Sequence, residues 1–219
     1  MSSTSNFSGK WQQDRSKESF STRVKEAVAP QGELKKKLAE TDRALNSQIV
    51  KLDRSIAKMT QKEKTLFSRT SSAFQKHDTV QANAFANELS ELRKAIKLVN
   101  GAKLSLESVQ ARLKTITDIG DMAMVLAPVG QVVRSVRKTL ITVMPTANES
   151  MGEINSDLEG LMREVGSISG ISGFNFETTG EDAEKILVEA SAVAESKMSQ
   201  NLPDIPEISS DQSTADTSI

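Results

Sequence analysis

The 219-residue chain contains no cysteine, no tyrosine and a single tryptophan, and only 37% of its residues are apolar, which is unlike the composition of a compact enzyme core. The absence of cysteine excludes disulfides, thiolate nucleophiles and cysteine-based zinc sites, and it fits a reducing compartment. The net charge of −1 conceals an uneven distribution, because residues 1–80 carry +7, residues 81–140 carry +4 and residues 141–219 carry −12.

This charge division indicates two interactions. The acidic C-terminal part can fold onto the basic part, or the basic part can bind an anionic surface when the acidic part is displaced. The alternative is that the basic and acidic residues lie on separate solvent-exposed surfaces and do not interact. No apolar run approaches the ~20 residues that a membrane-spanning helix needs, and the polar N-terminus lacks the apolar stretch of a secretory signal. We therefore expect a cytoplasmic protein.

Residues 1–30 are predicted to contain a short amphipathic helix, from Trp11 to Ala29, that ends at Pro30 and Gly32. With aromatic side chains just before it, this segment can insert shallowly into the headgroup layer of a membrane. The alternative is that Trp11 and Phe20 pack onto the long helices that follow. The residues assigned to membrane insertion are Phe7, Lys10, Trp11 and Phe20.

Residues 33–76 are predicted to form one helix of about 65 Å. Apolar residues recur every seven positions at Leu38, Leu45, Leu52, Met59 and Leu66, with Ile49 and Ile56 between them, which is the seam by which a long helix packs along another. Basic residues lie off this seam and begin with Lys35, Lys36 and Lys37. The flank they form favours an anionic partner, and a solvated helix face is the alternative.

The second long helix carries a matching stripe that includes Phe85, Leu89, Ile96, Val99 and Leu106. The connection over residues 75–79 is so short that the two helices must form an antiparallel hairpin. Asp78 is predicted to cap the second helix, with Gln81 three residues later as in a capping box.

Breaks are predicted after the hairpin. Gly120 marks a weak point, and Pro128 with Gly130 marks a stronger one, so we expect hinges at these three residues. Residues 129–143 have a helical apolar pattern, although their β-branched residues leave a strand as an alternative. An acidic helix over 146–165 completes a helical core of residues 31–165.

The remaining chain is predicted to be a flexible linker (166–180), an acidic helix (181–199) and a disordered tail (200–219). Two prolines within the tail keep an apolar and acidic segment extended, which suits a groove on a partner. The residues assigned to partner binding are Leu202, Pro203, Ile205 and Pro206. A proline-bearing tail without a function is the alternative.

Catalytic groups are sparse in this sequence. His77 is the sole histidine and falls in the hairpin turn, so the paired Glu-x-x-His motifs of di-iron bundles are excluded. No G-x-x-x-x-G-K phosphate-binding loop is present. We therefore expect no enzymatic activity, no cofactor, no metal and no small-molecule substrate.

The order of these elements resembles the ESCRT-III superfamily, and most of all its archaeal cell-division branch, the CdvB-type proteins. The order is a basic long hairpin, a jointed run of shorter helices, an acidic helix and a proline-bearing tail, over roughly residues 10–208. The sharpest local match is Leu202-Pro203-Asp204-Ile205-Pro206, which is similar to the proline-rich motif that binds the MIT domain of an AAA ATPase. The chain has no counterpart of the winged-helix module, so we expect a shorter paralogue.

This resemblance implies a protein that polymerises, with itself and with paralogues, on anionic membranes and constricts them in cell division or vesicle release. It implies that the insertion segment and the basic flank that starts at Lys35 face lipid at the division site, and that an AAA ATPase binds the tail. Two other interpretations remain open. A phage-shock protein A type shares the hairpin and the membrane surface, and a soluble coiled-coil adaptor would bind an acidic protein or nucleic acid.

Overall fold

The computed structural model describes the backbone of residues 20–169 and 180–201 and the side chains of residues 32–168 and 180–200. Within these ranges the chain forms five α-helices, one 3-10 turn and no strand, which confirms the predicted all-α fold. The helices are α1 (Phe20–Gln75), α2 (Thr79–Leu113), α3 (Ile119–Val143), α4 (Asn148–Ser169) and α5 (Gly180–Asn201), and the turn Pro145–Ala147 joins α3 to α4.

The helices α1 and α2 form the predicted antiparallel hairpin. The seam residues Leu45 and Leu52 of α1 are fully buried, and so are Leu89 and Leu106 of α2. Burying side chains of this size stabilises the folded chain by about 1.5–3 kcal/mol each. The heptad pattern therefore identified the main packing face correctly.

The hairpin turn is closed by backbone hydrogen bonds. The amide of Asp78 donates to the carbonyl oxygen of Ala73, and the amide of His77 donates to that of Phe74, both at 3.0 Å, as in a Schellman motif. His77 takes the left-handed conformation (φ 54°) that usually favours glycine. Asp78 caps α2, because its Oδ1 accepts the amide of Gln81 at 3.0 Å, which confirms the predicted cap.

The prediction that Pro30 and Gly32 end a separate N-terminal helix is wrong. Helix α1 begins at Phe20 and continues through both residues to Gln75. A proline removes one helical hydrogen bond, at a cost of about 3 kcal/mol. Because the residues on both sides favour a helix, cooperative propagation outweighs this local cost.

The break between helices predicted at Pro128 and Gly130 is also wrong, because α3 runs unbroken through both residues and excludes the alternative strand. Pro128 and its neighbours Ala127 and Val129 are buried, and this burial offsets the lost hydrogen bond. Gly130 lies against α4, since a β-carbon there would be 3.4 Å from the Cε atom of Met162. Both residues therefore contribute to packing between helices.

Helix α3 lies at the centre of the fold and packs against α2, α4 and α5. It is the one helix among the described residues that is long and apolar enough to cross a membrane, so the expectation that no apolar run approaches this length is wrong. Half of its apolar window is buried inside the protein. A core helix passes the same test, and α3 buries eleven residues and packs against three other helices.

The acidic C-terminal part folds back onto the basic hairpin, which is one of the two arrangements that the charge division indicated. Helix α4 packs on α1 and α3, whereas α5 packs on α2 and α3. Helix α4 extends to Ser169, beyond the predicted end at residue 165, and residues 170–179 of the predicted linker lie outside the described residues. Helix α5 confirms the predicted acidic helix over 181–199.

Candidate functional site

The outer side of α1 carries one row of exposed basic residues, which we name the basic face. Spacings of three, four, seven and eight residues keep its members on one side of the helix. All of them are solvent-exposed, and the last one directly follows the end of α1; they are Lys36, Arg43, Lys51, Arg54, Lys58, Lys62, Arg69 and Lys76.

Few acidic groups compensate this charge in the half of α1 nearest the turn. Between Arg54 and Lys76 the sequence holds one acidic residue, Glu63, and its side chain is only 2% exposed. Just before this stretch, Asp53 pairs with Lys103 of α2 at 2.6 Å. The basic face is therefore most strongly positive along the last 33 Å or so of α1.

Glu63 lies in the hairpin seam, where it contacts Arg93 of α2. Its Oε1 accepts hydrogen bonds from Nε of Arg93 at 3.0 Å and from Nη2 at 2.7 Å. The guanidinium of Arg93 also lies 6.0 Å from the ring centroid of Phe67, within cation–π range. The sequence analysis missed this pair, although Glu63 follows Ile56 by seven residues and so continues the seam.

The residues predicted to bind membrane do not all lie in one place. Phe7, Lys10 and Trp11 are outside the described residues, and Phe20 begins α1 with its side chain undescribed. Lys35 and Lys36 are exposed. Lys37 is also exposed but donates to Glu164 of α4 at 2.6 Å, and this hydrogen bond raises its pKa above the ordinary value.

Among the described residues, three ion pairs join the acidic helices to the other helices, and we name them the closing contacts. They link α1 to α4, α2 to α5 and α3 to α4, and they are Lys37–Glu164 at 2.6 Å, Lys97–Glu195 at 2.7 Å and Arg134–Glu159 at 3.6 Å. The side chain of every partner is more than a quarter exposed to solvent. Exposed ion pairs contribute little to stability because solvent screens them, so these contacts hold the acidic helices only weakly.

The apolar contacts of α5 are also modest. Its buried positions hold three alanines and one isoleucine, which are Ala183, Ile186, Ala190 and Ala194. Alanine offers little apolar surface to bury. Val188 and Val193 on the same helix remain 61% and 40% exposed. Helix α5 is therefore held less firmly than the helices of the hairpin.

The elbow between α2 and α3, residues 114–118, is fixed by side chains. Asp118 caps α3 by accepting the amide of Asp121 at 2.9 Å. Asp121 in turn accepts both the hydroxyl (2.6 Å) and the amide (3.0 Å) of Thr117, and these bonds lower its pKa below the ordinary value. Gly120 lies in the first turn of α3, where a β-carbon would approach Asp118 Oδ1 to 3.2 Å. Of the three predicted hinge residues, only Gly120 lies beside an interruption between helices.

The tail residues Leu202, Pro203, Ile205 and Pro206 lie outside the described residues. His77 is exposed in the turn. No group of three or more histidine or acidic side chains that could hold a metal ion occurs in the described part of the chain.

Comparison with known proteins places this architecture in a family. The chain is 35% identical over 173 residues to cell division protein B1 of Sulfolobus acidocaldarius, an alignment that covers 79% of this chain and 80% of that protein. The chain belongs to the archaeal cell division protein B (CdvB) family, which is of the ESCRT-III type.

A second member of the CdvB family, cell division protein B of the same organism, is 28% identical over 173 residues, which is 79% of this chain and 66% of that protein. No family model matches the chain, and no solved structure matches it. Membership of the CdvB family confirms the resemblance seen in the sequence and supports a role in archaeal cell division.

Proposed function

We propose that the chain is a filament subunit that polymerises on anionic membranes and drives their constriction during archaeal cell division. The observation that carries this proposal is the basic face, a row of eight exposed cations, seven of them on one continuous helix. Each basic residue near an anionic leaflet contributes about 1 kcal/mol, so four engaged cations supply about 4 kcal/mol per subunit. A filament multiplies this binding across its subunits.

The proposed cycle begins with a closed monomer. The closing contacts and the alanine-rich face of α5 hold the acidic helices weakly over the hairpin, which supports their displacement at a membrane. Opening at the elbow before Gly120 would let α3 continue α2 and expose a surface along which hairpins stack. Deleting residues 166–219 is therefore expected to increase sedimentation of polymer and binding to liposomes, and unchanged sedimentation would contradict this step.

The ends of the chain have separate proposed roles. Phe7 and Trp11 insert into the headgroup layer, and the tail segment at Leu202–Pro206 binds the MIT domain of an AAA ATPase that disassembles the polymer. The protein would act on the cytoplasmic face of the membrane at the division site. This role requires no cofactor and no catalytic residue.

The test is sedimentation and electron microscopy of the full chain with anionic liposomes, with and without residues 1–29. The variant Arg54→Glu/Lys58→Glu/Lys62→Glu reverses three charges of the basic face. The matched control, Lys114→Glu/Lys138→Glu/Arg163→Glu, makes the same change in net charge at three exposed cations elsewhere. We expect at least a tenfold loss of liposome binding for the first variant and near-normal binding for the control.

Two outcomes would contradict the proposal. Equal binding by the two charge-reversal variants would exclude the basic face as the membrane surface. A full chain that ignores anionic vesicles and forms no filaments would favour the soluble coiled-coil adaptor. High salt should weaken binding of the full chain, because the Debye length is only ~8 Å at physiological ionic strength.

A further inference from the structure

An open groove, which we name the tip groove, runs between α1 and α2 near the hairpin turn. It has a volume of about 500 Å³, which is within the range of pockets that bind small molecules. Both helices supply its lining residues, which are Gln61, Lys62, Thr65, Leu66, Arg69, Glu88 and Leu92. The tip groove borders the basic face, because Lys62 and Arg69 belong to both.

Two cations flank the tip groove on its α1 side. Lys62 and Arg69 are seven residues apart, so they lie on one side of α1 and about 10 Å apart along its axis. Both side chains are exposed, and neither forms an ion pair within the described part of the chain. The carboxylate of Glu63 binds Arg93 instead. The two cations on either side of Thr65 can therefore converge on one anionic group.

The donors on the α1 side suit a phosphate group. The planar guanidinium of Arg69 can donate two parallel hydrogen bonds to phosphate oxygens, and the ammonium of Lys62 adds a compact charge. The side-chain amide of Gln61 is a further exposed donor in the lining. The hydroxyl of Thr65 donates to the carbonyl oxygen of Gln61 at 3.1 Å, so its lone pairs remain as acceptors for a ligand hydroxyl.

The remaining lining suits the groups on either side of a phosphate. Leu66 is 8% exposed and Leu92 is partly buried, and together they form an apolar floor beside the cations. An apolar floor gains by covering hydrocarbon, so it favours a phosphate ester over inorganic phosphate. Glu88 is exposed on the α2 side and forms no ion pair with any described residue. Its carboxylate can accept hydrogen bonds from hydroxyl groups of a ligand.

We propose that the tip groove is a headgroup site for a single anionic phospholipid whose headgroup carries hydroxyl groups, such as a phosphoglycerol. The phosphate lies between Lys62 and Arg69. The first carbons of the lipid contact Leu66 and Leu92, and the headgroup hydroxyls donate to Glu88. This inference rests on the proposed membrane role. It adds a choice among anionic lipids, which a row of exposed cations alone does not provide.

The first test compares vesicles of equal surface charge in sedimentation of the full chain. One kind contains phosphatidylglycerol, and the other contains the same fraction of phosphatidylmethanol, whose headgroup has the same charge but no hydroxyl. We expect at least fivefold tighter binding to phosphatidylglycerol. Glu88→Ala should remove this preference, whereas Glu189→Ala, which changes the charge equally at an exposed position of α5, should keep it. Equal binding of the natural chain to both vesicles, or an unchanged preference in Glu88→Ala, would overturn the proposal.

A soluble lipid locates the site in the full chain. Dihexanoyl phosphatidylglycerol, kept below the concentration at which it forms micelles, should shift the methyl NMR signals of Leu66 and Leu92. Inorganic phosphate at the same concentration should shift them at least fivefold less. Equal shifts with phosphate would reduce the groove to a site for any anion, and lipid-induced shifts confined to other helices would place the lipid elsewhere; either result would overturn the proposal.

Charge reversal tests the phosphate contacts. Lys62→Glu/Arg69→Glu should abolish the methyl shifts caused by the soluble lipid, because both proposed phosphate contacts are lost. The matched control Arg43→Glu/Lys51→Glu reverses two other cations of the basic face and should leave the shifts unchanged. Helix content by circular dichroism confirms that both variants fold. Shifts that persist in the Lys62 and Arg69 variant would refute the assignment of the phosphate.

The two measurements separate this inference from the proposed function. A chain that binds both kinds of anionic vesicle equally would retain the membrane role and contradict the headgroup site. A chain that ignores vesicles, but whose Leu66 and Leu92 signals shift with the soluble lipid, would support the headgroup site while contradicting the membrane role.

Discussion

Removing the carboxylate of Glu63 is expected to destabilise the hairpin strongly. The side chain of Glu63 is 2% exposed and that of Arg93 is 13% exposed, and two hydrogen bonds join them. The substitution Glu63→Leu leaves the part-buried Arg93 charged and without its carboxylate partner. Breaking a fully buried pair costs about 3–5 kcal/mol, so we expect a cost near the lower end of this range. The double variant Glu63→Leu/Arg93→Leu replaces the pair by apolar side chains, so it is expected to be within about 1 kcal/mol of the natural chain or more stable.

The assay is urea unfolding followed by circular dichroism at 222 nm, with a double-mutant cycle to isolate the coupling between the two residues. The control is Glu91→Leu, which breaks the pair between Glu91 and Lys94. That pair lies on the same stretch of α2 but is 73% and 67% exposed, so its loss should cost no more than about 0.5 kcal/mol. A cost below about 1 kcal/mol for Glu63→Leu, or a double variant as unstable as the sum of the single ones, would refute the reasoning.

Three further predictions concern single positions. His77→Gly should raise the free energy of unfolding by up to about 1 kcal/mol, because glycine adopts the left-handed conformation of His77 (φ 54°) without strain. The control Lys76→Gly should not raise it, and urea unfolding of both variants measures the difference. Gln48→Leu should also stabilise, by about 1 kcal/mol, because the Gln48 amide is buried and finds no hydrogen-bond partner among the described residues; a lower midpoint in urea would contradict this. The lowered pKa of Asp121 means that its contribution to stability is complete above its ordinary pKa of 3.8 and is lost as the pH falls through the lower folded-state value. Thr117→Val removes the hydroxyl donor and should raise the pKa of Asp121 in an NMR titration, and an unchanged pKa would exclude this hydrogen bond as the cause.

Local signals in the sequence were sufficient where one residue pattern has one physical solution. The seven-residue repeat through Leu45 and Leu52 requires a partner helix, and the short link before Asp78 makes that partner antiparallel. The cap by Asp78 followed from side-chain chemistry alone. Helix-breaking residues were poor guides to where helices end, because Pro30 and Pro128 each remove one hydrogen bond whereas the helices around them form many.

The candidate site shows the same division. The basic flank of α1 was evident from the sequence, but the ion pair of Lys37 with Glu164 was not, since these residues are 127 positions apart. Glu63 stood in the repeat as an apparent exception, and only its contact with Arg93 explains it. The groove near Leu66 and Leu92 likewise exists only where two helices meet.

The sequence by itself determined the all-α fold, the hairpin and the opposition of a basic body to an acidic end, because periodicity, loop length and charge act over short distances along the chain. Only the tertiary structure decided which cations the acidic helices occupy and which proline lies in a core. Those facts depend on how α4 and α5 pack against helices far away in sequence, and no local pattern encodes that choice.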